Sequence, residues 1–159
     1  MNEIIECYHL KYKNEVFNLI NSVYISEGGL DEKEKSELFN ILNCEDKDDE
    51  YFLIKNTDNE IVSFGGFSRA KFQEGVFELR WGTTREDYRF RGLMTEITNY
   101  RINRIIDIVK QSEYNSGLII VGARKPNMFK KLGFKNIWKR CDGAETLILQ
   151  IENEVLHEN

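Results

Sequence analysis

Residues 83–109 read TTREDYRFRGLMTEITNYRINRIIDIV, and their chemistry begins with three cations, Arg85, Arg89 and Arg91, that lead into Gly92. The residues after Gly92 have a helical period. A helix start leaves its first N–H groups unpaired and carries the positive end of the helix dipole. Those amides and flanking arginines make an anion site, whose natural occupant is a diphosphate. Gly92 has no side chain, so a phosphate can come close to the backbone there. A second reading stands beside the first: the same arginines pair with Glu86, Asp87 and Glu96 on the surface. Local chemistry leaves both open, because short glycine motifs recur by chance.

The preceding stretch, FELRW, holds a carboxylate of interest. In a strand, alternation puts Glu78 and Arg80 on one face and Phe77, Leu79 and Trp81 on the other. A Glu78–Arg80 surface ion pair is the plain alternative to any chemical role, and such a pair is worth little. Gly82 either accompanies a bulge or gives Trp81 room to pack.

These residues need elements to hold them. The 159 residues suit one domain, expected over 1–151 with a tail at 152–159. EIIECY reads as a first strand, and Val16, Phe17, Leu19, Ile20 and Val23 have helical spacing up to Gly28-Gly29. Asp31 with Glu34 makes a capping box for a second helix through KSELFNIL. EDKDDE reads as a solvated acidic loop. YFLIKN and EIVSFGGFSRA flank a hairpin turn at Thr57-Asp58-Asn59, and GVFELRWGTT is a further strand. Leu93, Ile97, Ile102, Ile105, Ile106 and Val109 line one side of the helix after Gly92. GLIIVGA is a buried strand. KPNMFKKLGF is a brief helix between Pro126 and Gly133, and two last strands, FKNIWKRC and ETLILQI, turn at Asp142-Gly143. The order β-α-α-β-β-β-α-β-α-β-β implies an α/β fold: a mixed, mostly antiparallel sheet of about seven strands with helices on both faces.

Composition narrows the function. A net charge of -5 argues against general binding of nucleic acid or of a membrane surface. It is compatible with a cationic small molecule or peptide. No apolar run approaches the ~20 residues of a membrane span, and no secretory signal is expected at the start, so the expected location is cytoplasmic. The three cysteines, Cys7, Cys44 and Cys141, are expected as small buried or half-exposed thiols. Neither they nor His9 and His157 have metal-ligand spacing, so no metal is expected.

YRFRGLMT resembles the acetyl-coenzyme A loop of the GNAT N-acetyltransferase superfamily, [Q/R]-x-x-G-x-[G/A]. Arg89 and Gly92 match, and Met94 departs at the last small position. MFKKLGF is similar to the family's [Y]-x-x-L-G-F segment. The order of elements matches as well, so the resemblance spans nearly the whole chain.

The resemblance implies an N-acetyltransferase moving an acetyl group from acetyl-CoA to a primary amine by direct transfer in a ternary complex. The acceptor would be a small molecule or peptide, and a homodimer is compatible with it. Arg85, Arg89, Phe90, Arg91, Gly92, Leu93, Met94 and Thr95 would hold the cofactor. The family's fourth strand bulges and splays from the fifth, and the pantetheine lies between. Thr84 matches the position whose backbone amide faces the thioester carbonyl, where it would stabilise an oxyanion. Glu78 matches a frequent position for the base that frees the amine of its proton. Glu27, in the loop between the first two helices, is the reserve. Asn127 would bond the pantetheine. Phe129, whose ring would pack against the pantetheine arm near the sulfur, replaces a tyrosine that in many members reprotonates the leaving thiolate, and phenylalanine has no proton to give. That departure, with Met94, sustains a second reading, a non-catalytic acyl-CoA-binding sensor or interaction module. Lys130 and Lys131 read as a solvated basic face with the nucleotide phosphate as the rarer role. Tyr24, Phe67 and Trp138 read as core, with an acceptor pocket as the alternative. Covalent transfer through Cys44 or Cys141 has no base partner in view.

Overall fold

A computed structural model describes residues 5–25, 28–44 and 48–152. Its elements are β1 (Ile5–Cys7), α1 (Lys13–Ile25), α2 (Glu32–Leu42), β2 (Glu50–Lys55), β3 (Ile61–Arg69), β4 (Val76–Thr84), α3 (Leu93–Gln111), β5 (Ser116–Ala123), α4 (Asn127–Lys131), β6 (Lys135–Lys139) and β7 (Glu145–Glu152). The strands hydrogen-bond in the order β1-β2-β3-β4-β5-β7-β6. The pairs β1–β2, β5–β7 and β6–β7 are antiparallel, and β4–β5 is parallel. This is the mixed α/β fold expected from the element order. Chain contacts gather into two compact units, Met1–Gly66 with Trp81–Asn99, and Phe67–Arg80 with Tyr100–Asn159.

In the first unit, α1 and α2 cover β2 and β3. Val16, Leu19 and Ile20 of α1 and Leu38, Ile41 and Leu42 of α2 close on Leu53, Ile61 and Phe64. The cap of α2 is the one its sequence specifies. Asp31 Oδ1 accepts from the Glu34 amide at 2.7 Å, and Glu34 Oε2 accepts from the Asp31 amide at 2.9 Å. Two orphan donors of the first turn are satisfied at once. Tyr51 stacks on Phe64 at 5.5 Å, and Tyr8 meets the same ring edge-on at 5.7 Å.

In the second unit, Phe67 and Phe77 cross edge-on at 5.9 Å, within a core shared by Ile105, Val109, Ile119, Val121 and Leu147. Gly117 matters here: a Cβ on it would lie 2.6 Å from the Val109 side chain, so the glycine lets α3 sit close on β5. The apolar stripe of α3 is buried as expected at Leu93, Ile97, Ile102, Ile105 and Val109, while Ile106 is half-buried.

Three expectations need correction. The cysteines are all exposed. Trp138, expected in the core, is 67% exposed, because every residue of the edge strand β6 is exposed. In β4 the special backbone belongs to Trp81 at φ 53, not to Gly82. Glu27 and most of the C-terminal tail lie outside the described residues.

Candidate functional site

The first unit carries Thr84 and the arginine turn. The Arg85 amide donates to Val62 O at 2.9 Å, and Ser63 Oγ donates to Thr83 O at 3.0 Å. Both backbone groups, one in β4 and one just past its end, therefore face β3. Successive peptide units of a strand point to opposite edges, so the Thr84 amide points away from β3. The Thr84 side chain is buried, with its Oγ1 3.0 Å from Ser63 Oγ. Three residues earlier, Trp81 is in the left-handed region, a conformation that costs a non-glycine residue roughly 1–2 kcal/mol. It persists because its surroundings hold it: the indole packs on the unit's core, 6.0 Å from the Tyr24 ring, and Thr83 Oγ1 donates to Trp81 O at 3.1 Å. The alternation of β4 breaks there, as at a bulge.

Beyond Thr84 the three arginines part company. Arg85 grips Asp87 with two bonds of 2.8 and 3.1 Å and reaches Glu60 at 3.1 Å. Its fork is full. The Arg85 guanidinium, first of all, holds the Asp87 carboxyl below the usual range; Glu60 is lowered first by its bond from Asn56 and then by Arg85. Arg91 donates to Asp87 O at 3.1 Å and lies over the Tyr88 ring, 4.5 Å from its centroid. Arg89 is different, since its contact with Glu86 is 3.9 Å and therefore weak. Thus Arg85 and Arg91 are tied into the turn by short side-chain contacts, and Arg89 has only this long one.

The turn's backbone completes the picture. Phe90 (φ 64) and Gly92 (φ 86) both take left-handed conformations, and the Phe90 side chain is fully exposed. Glu96 N donates to Gly92 O at 2.9 Å, so α3 starts at Leu93 and the amides before Glu96 are not used by its helical ladder. A Cβ at Gly92 would meet nothing within 4 Å, so the backbone there faces open space. Leu93 is buried and anchors the helix, while Met94 and Thr95 are half-buried. Amides, dipole and Arg89 suit a doubly charged phosphate ligand.

The second unit holds Glu78, Asn127 and Phe129. The Glu78 side chain is exposed and makes no hydrogen bond or ion pair among the described residues, so the plain Glu78–Arg80 pairing does not form. Its neighbours Phe77 and Leu79 are buried, as strand alternation requires. The parallel ladder joins Val76, Phe77 and Glu78 to Leu118, Ile119 and Ile120. Asn127 opens α4 as an exposed residue. Phe129 is half-buried, and its ring sits edge-on to Phe134 at 5.5 Å. Lys130 pairs with Glu145 at 2.7 Å and lowers that carboxyl's pKa. Phe67 is core, and Tyr24 packs on Trp81.

Four residues escape a reading of the sequence. Ser63 has no local signal. Asn56 and Tyr88 meet across 32 positions of chain. Arg101 is 1% exposed and donates from Nη1 to Arg80 O at 3.4 Å. Its place is legible in principle: with Ile97 and Ile105 it falls at i, i+4, i+8, squarely on the buried stripe of α3. Among the described residues no group of three or more His, Cys, Asp or Glu side chains is arranged to hold a metal ion. No helix there is long and apolar enough to cross a membrane.

No protein-family model matches the chain, and no curated protein matches it. Solved structures do. An acetyltransferase of the GNAT family from Staphylococcus aureus Mu50 superposes with a TM-score of 0.69 at 17% identity, over 95% of this chain and 100% of that one. The fold is that of the GNAT acetyltransferases. Aminoglycoside 6'-acetyltransferase type Ii shares this GNAT fold with the chain at TM-score 0.69 and 16% identity, over 92% and 96% of the two chains. Spermidine N-acetyltransferase from Vibrio cholerae, solved in complex with CoA and spermine, gives 0.67 at 11% identity, over 94% and 95%. At identities this low the likeness speaks for the GNAT fold and not for a substrate.

Proposed function

We propose that this protein is a cytoplasmic N-acetyltransferase that moves an acetyl group from acetyl-CoA to a primary amine, by direct transfer in a ternary complex. The observation that carries the reading is the start of α3. There Gly92 in a left-handed conformation, open backbone and an arginine with no close partner come after a bulged strand on a GNAT fold. These features fit a diphosphate. Acetyl-CoA supplies an acyl group activated as a thioester. Arg89, Gly92 and the amides of Leu93, Met94 and Thr95 bind its diphosphate, with Phe90 lending its backbone and Arg85 and Arg91 shaping the turn. The Thr84 amide, directed away from β3, donates to the acyl oxygen as charge develops there. Glu78 accepts the amine's proton, directly or through water. Across the reaction an N–C bond forms, the C–S bond breaks, and the sulfur leaves as thiolate. Asn127 binds the pantetheine amides. Residues 1–151 form the catalytic domain.

The acceptor is a small amine or a peptide, and the solved relatives supply two first probes, spermine and an aminoglycoside. The test is to mix protein, acetyl-CoA and each amine and monitor free thiol. Amine-dependent thiol release is the expected result. Failure of acetyl-CoA to bind by calorimetry overturns the reading. One observation favours a second reading, a non-catalytic acyl-CoA-binding module. Phe129 is held against Phe134 and offers no proton to a thiolate. Tight acetyl-CoA binding without transfer to any of a broad panel of amines would select it.

A further inference from the structure

We infer that Asn56 and Tyr88 are positioning residues for the anion turn: together they fix Arg85 and Arg91 so that the α3 start is shaped before ligand arrives. The inference rests on the proposed binding of the acetyl-CoA diphosphate at that turn. Asn56 lies at the end of β2 and uses the full capacity of its side chain. Its Oδ1 accepts from the Asp58 amide at 3.0 Å and the Glu60 amide at 2.9 Å. Its Nδ2 donates to Glu60 Oε2 at 2.8 Å and to Tyr88 Oη at 2.9 Å. Two acceptor sites and two donors are all an asparagine side chain has, so its orientation is fixed by four hydrogen bonds to three residues at once.

Asn56 thereby ties the β2–β3 turn to the arginine turn. Tyr88 is the other half of the tie. Its hydroxyl is held by Asn56, and two guanidiniums lie over its ring, Arg85 at 4.6 Å and Arg91 at 4.5 Å from the centroid. Stacked guanidiniums gain from the ring's quadrupole and lose little freedom. Glu60 closes the circuit, since one of its oxygens accepts from both Asn56 and Arg85. The left-handed Phe90 and Gly92 lie immediately beyond Tyr88, on either side of Arg91, whose backbone the ring and Asp87 O restrain through its side chain. Binding that must first order such a turn forfeits affinity, and a turn ordered in advance does not.

The test uses the full chain, with acetyl-CoA and S-acetylpantetheine, which lacks the diphosphate, as probes. Releasing two arginines should weaken acetyl-CoA by about tenfold in Tyr88→Leu and in Asn56→Ala. Tyr88→Phe keeps the ring and should lose only about threefold, a partial rescue that separates the platform from the hydroxyl. S-acetylpantetheine affinity should not change. Equal binding of acetyl-CoA by wild type and Tyr88→Leu overturns the inference. So does a loss of the same size for both probes, which would mark a general structural defect. If the wild-type protein binds no acetyl-CoA, the functional reading has failed, and amide hydrogen exchange across residues 89–95 decides the positioning claim separately. Faster exchange there in Tyr88→Leu upholds it; unchanged exchange overturns it.

Discussion

The arginine turn and the short helix α4 are the two segments whose sequences resemble GNAT motifs, yet they are built differently. The turn holds two left-handed residues against a dense polar network of Asn56, Glu60, Arg85, Asp87, Tyr88 and Arg91. Helix α4 has five residues and, among the described residues, one ring contact from Phe129 to Phe134 and one side-chain tie from Lys130 to Glu145. Strain survives only where the surroundings over-determine it, and that is the mark of a site kept in one shape. On the proposed function, this comparison puts much of the chain's polar structure where the diphosphate would bind and little where a thiolate's proton would be handled. Binding should therefore be sensitive to the turn, and turnover only mildly sensitive to α4.

The largest effect tests the turn's backbone. Gly92→Leu places a side chain in open space, so no clash explains its outcome; the φ of 86 does. An L-residue there costs roughly 1–2 kcal/mol or shifts the turn, and either moves the amides that meet a phosphate. Acetyl-CoA binding by calorimetry should vanish while the thermal midpoint changes little. Undiminished affinity would place the anion elsewhere.

Next in size is the loss of the proposed base. Glu78→Gln should lower kcat by about a hundredfold below the pKa of the acceptor amine, the lower end of general-base contributions. As pH rises past that pKa, the amine is already free and the deficit should shrink. Acetyl-CoA affinity should stay the same. Equal rates for the two proteins across the pH range would remove Glu78 from the mechanism.

The arginines sharpen the comparison within the turn. Arg89→Ala should cost about tenfold in acetyl-CoA affinity, as befits a charge-assisted bond to phosphate. Arg91→Ala should cost about threefold, through the turn's shape and not through a lost ligand contact. The reverse order would mean that Arg91 leaves the Tyr88 ring when ligand binds.

How much of this is legible in the sequence depends on the range of the interactions. The capping box at Asp31 and Glu34, the hairpin turn at Thr57–Asn59 and the stripe of α3 are local patterns, and each appears where its pattern puts it. The bulge of β4 falls one residue before the glycine that suggests it. Glycine marks freedom, but packing against Tyr24 and the core forces the strained φ onto Trp81. A tryptophan usually belongs to the core, yet β6 is an edge strand and leaves Trp138 exposed. The arginines look equivalent in sequence. Only the fold, by bringing Asn56 and Glu60 to Tyr88 and Arg85, distinguishes Arg89 from its neighbours.

Acid should loosen the turn. Glu60 and Asp87 both have folded pKa values below their ordinary ones, so their contribution is present above the unfolded values near about 4 and is lost as pH falls through the lowered ones. Hydrogen exchange at residues 89–95, corrected for its intrinsic pH dependence, should be level from neutral pH to about 5 and quicken only below about 4. Quickening near pH 6 would point to a group other than these carboxylates.

The smallest effect concerns Phe129, on the sparse side of the comparison. A thiol's pKa near about 8.5 makes thiolate a tolerable leaving group at neutral pH, so a general acid adds modestly. Transfer without an acid should therefore be slow and real. Phe129→Tyr should leave acetyl-CoA affinity unchanged and raise kcat severalfold, provided the hydroxyl reaches the sulfur. The contact with Phe134 constrains the ring in both proteins, so the added oxygen is the main difference between them. If the wild type binds acetyl-CoA yet acetylates nothing, and Phe129→Tyr turns activity on, the binding-module reading prevails. A neutral Phe129→Tyr in an active enzyme means that water or another residue already supplies the proton. Phe129→Ala removes the ring that faces Phe134 and is proposed to pack on the pantetheine, and should weaken acetyl-CoA in either case; unchanged affinity would place Phe129 outside the site.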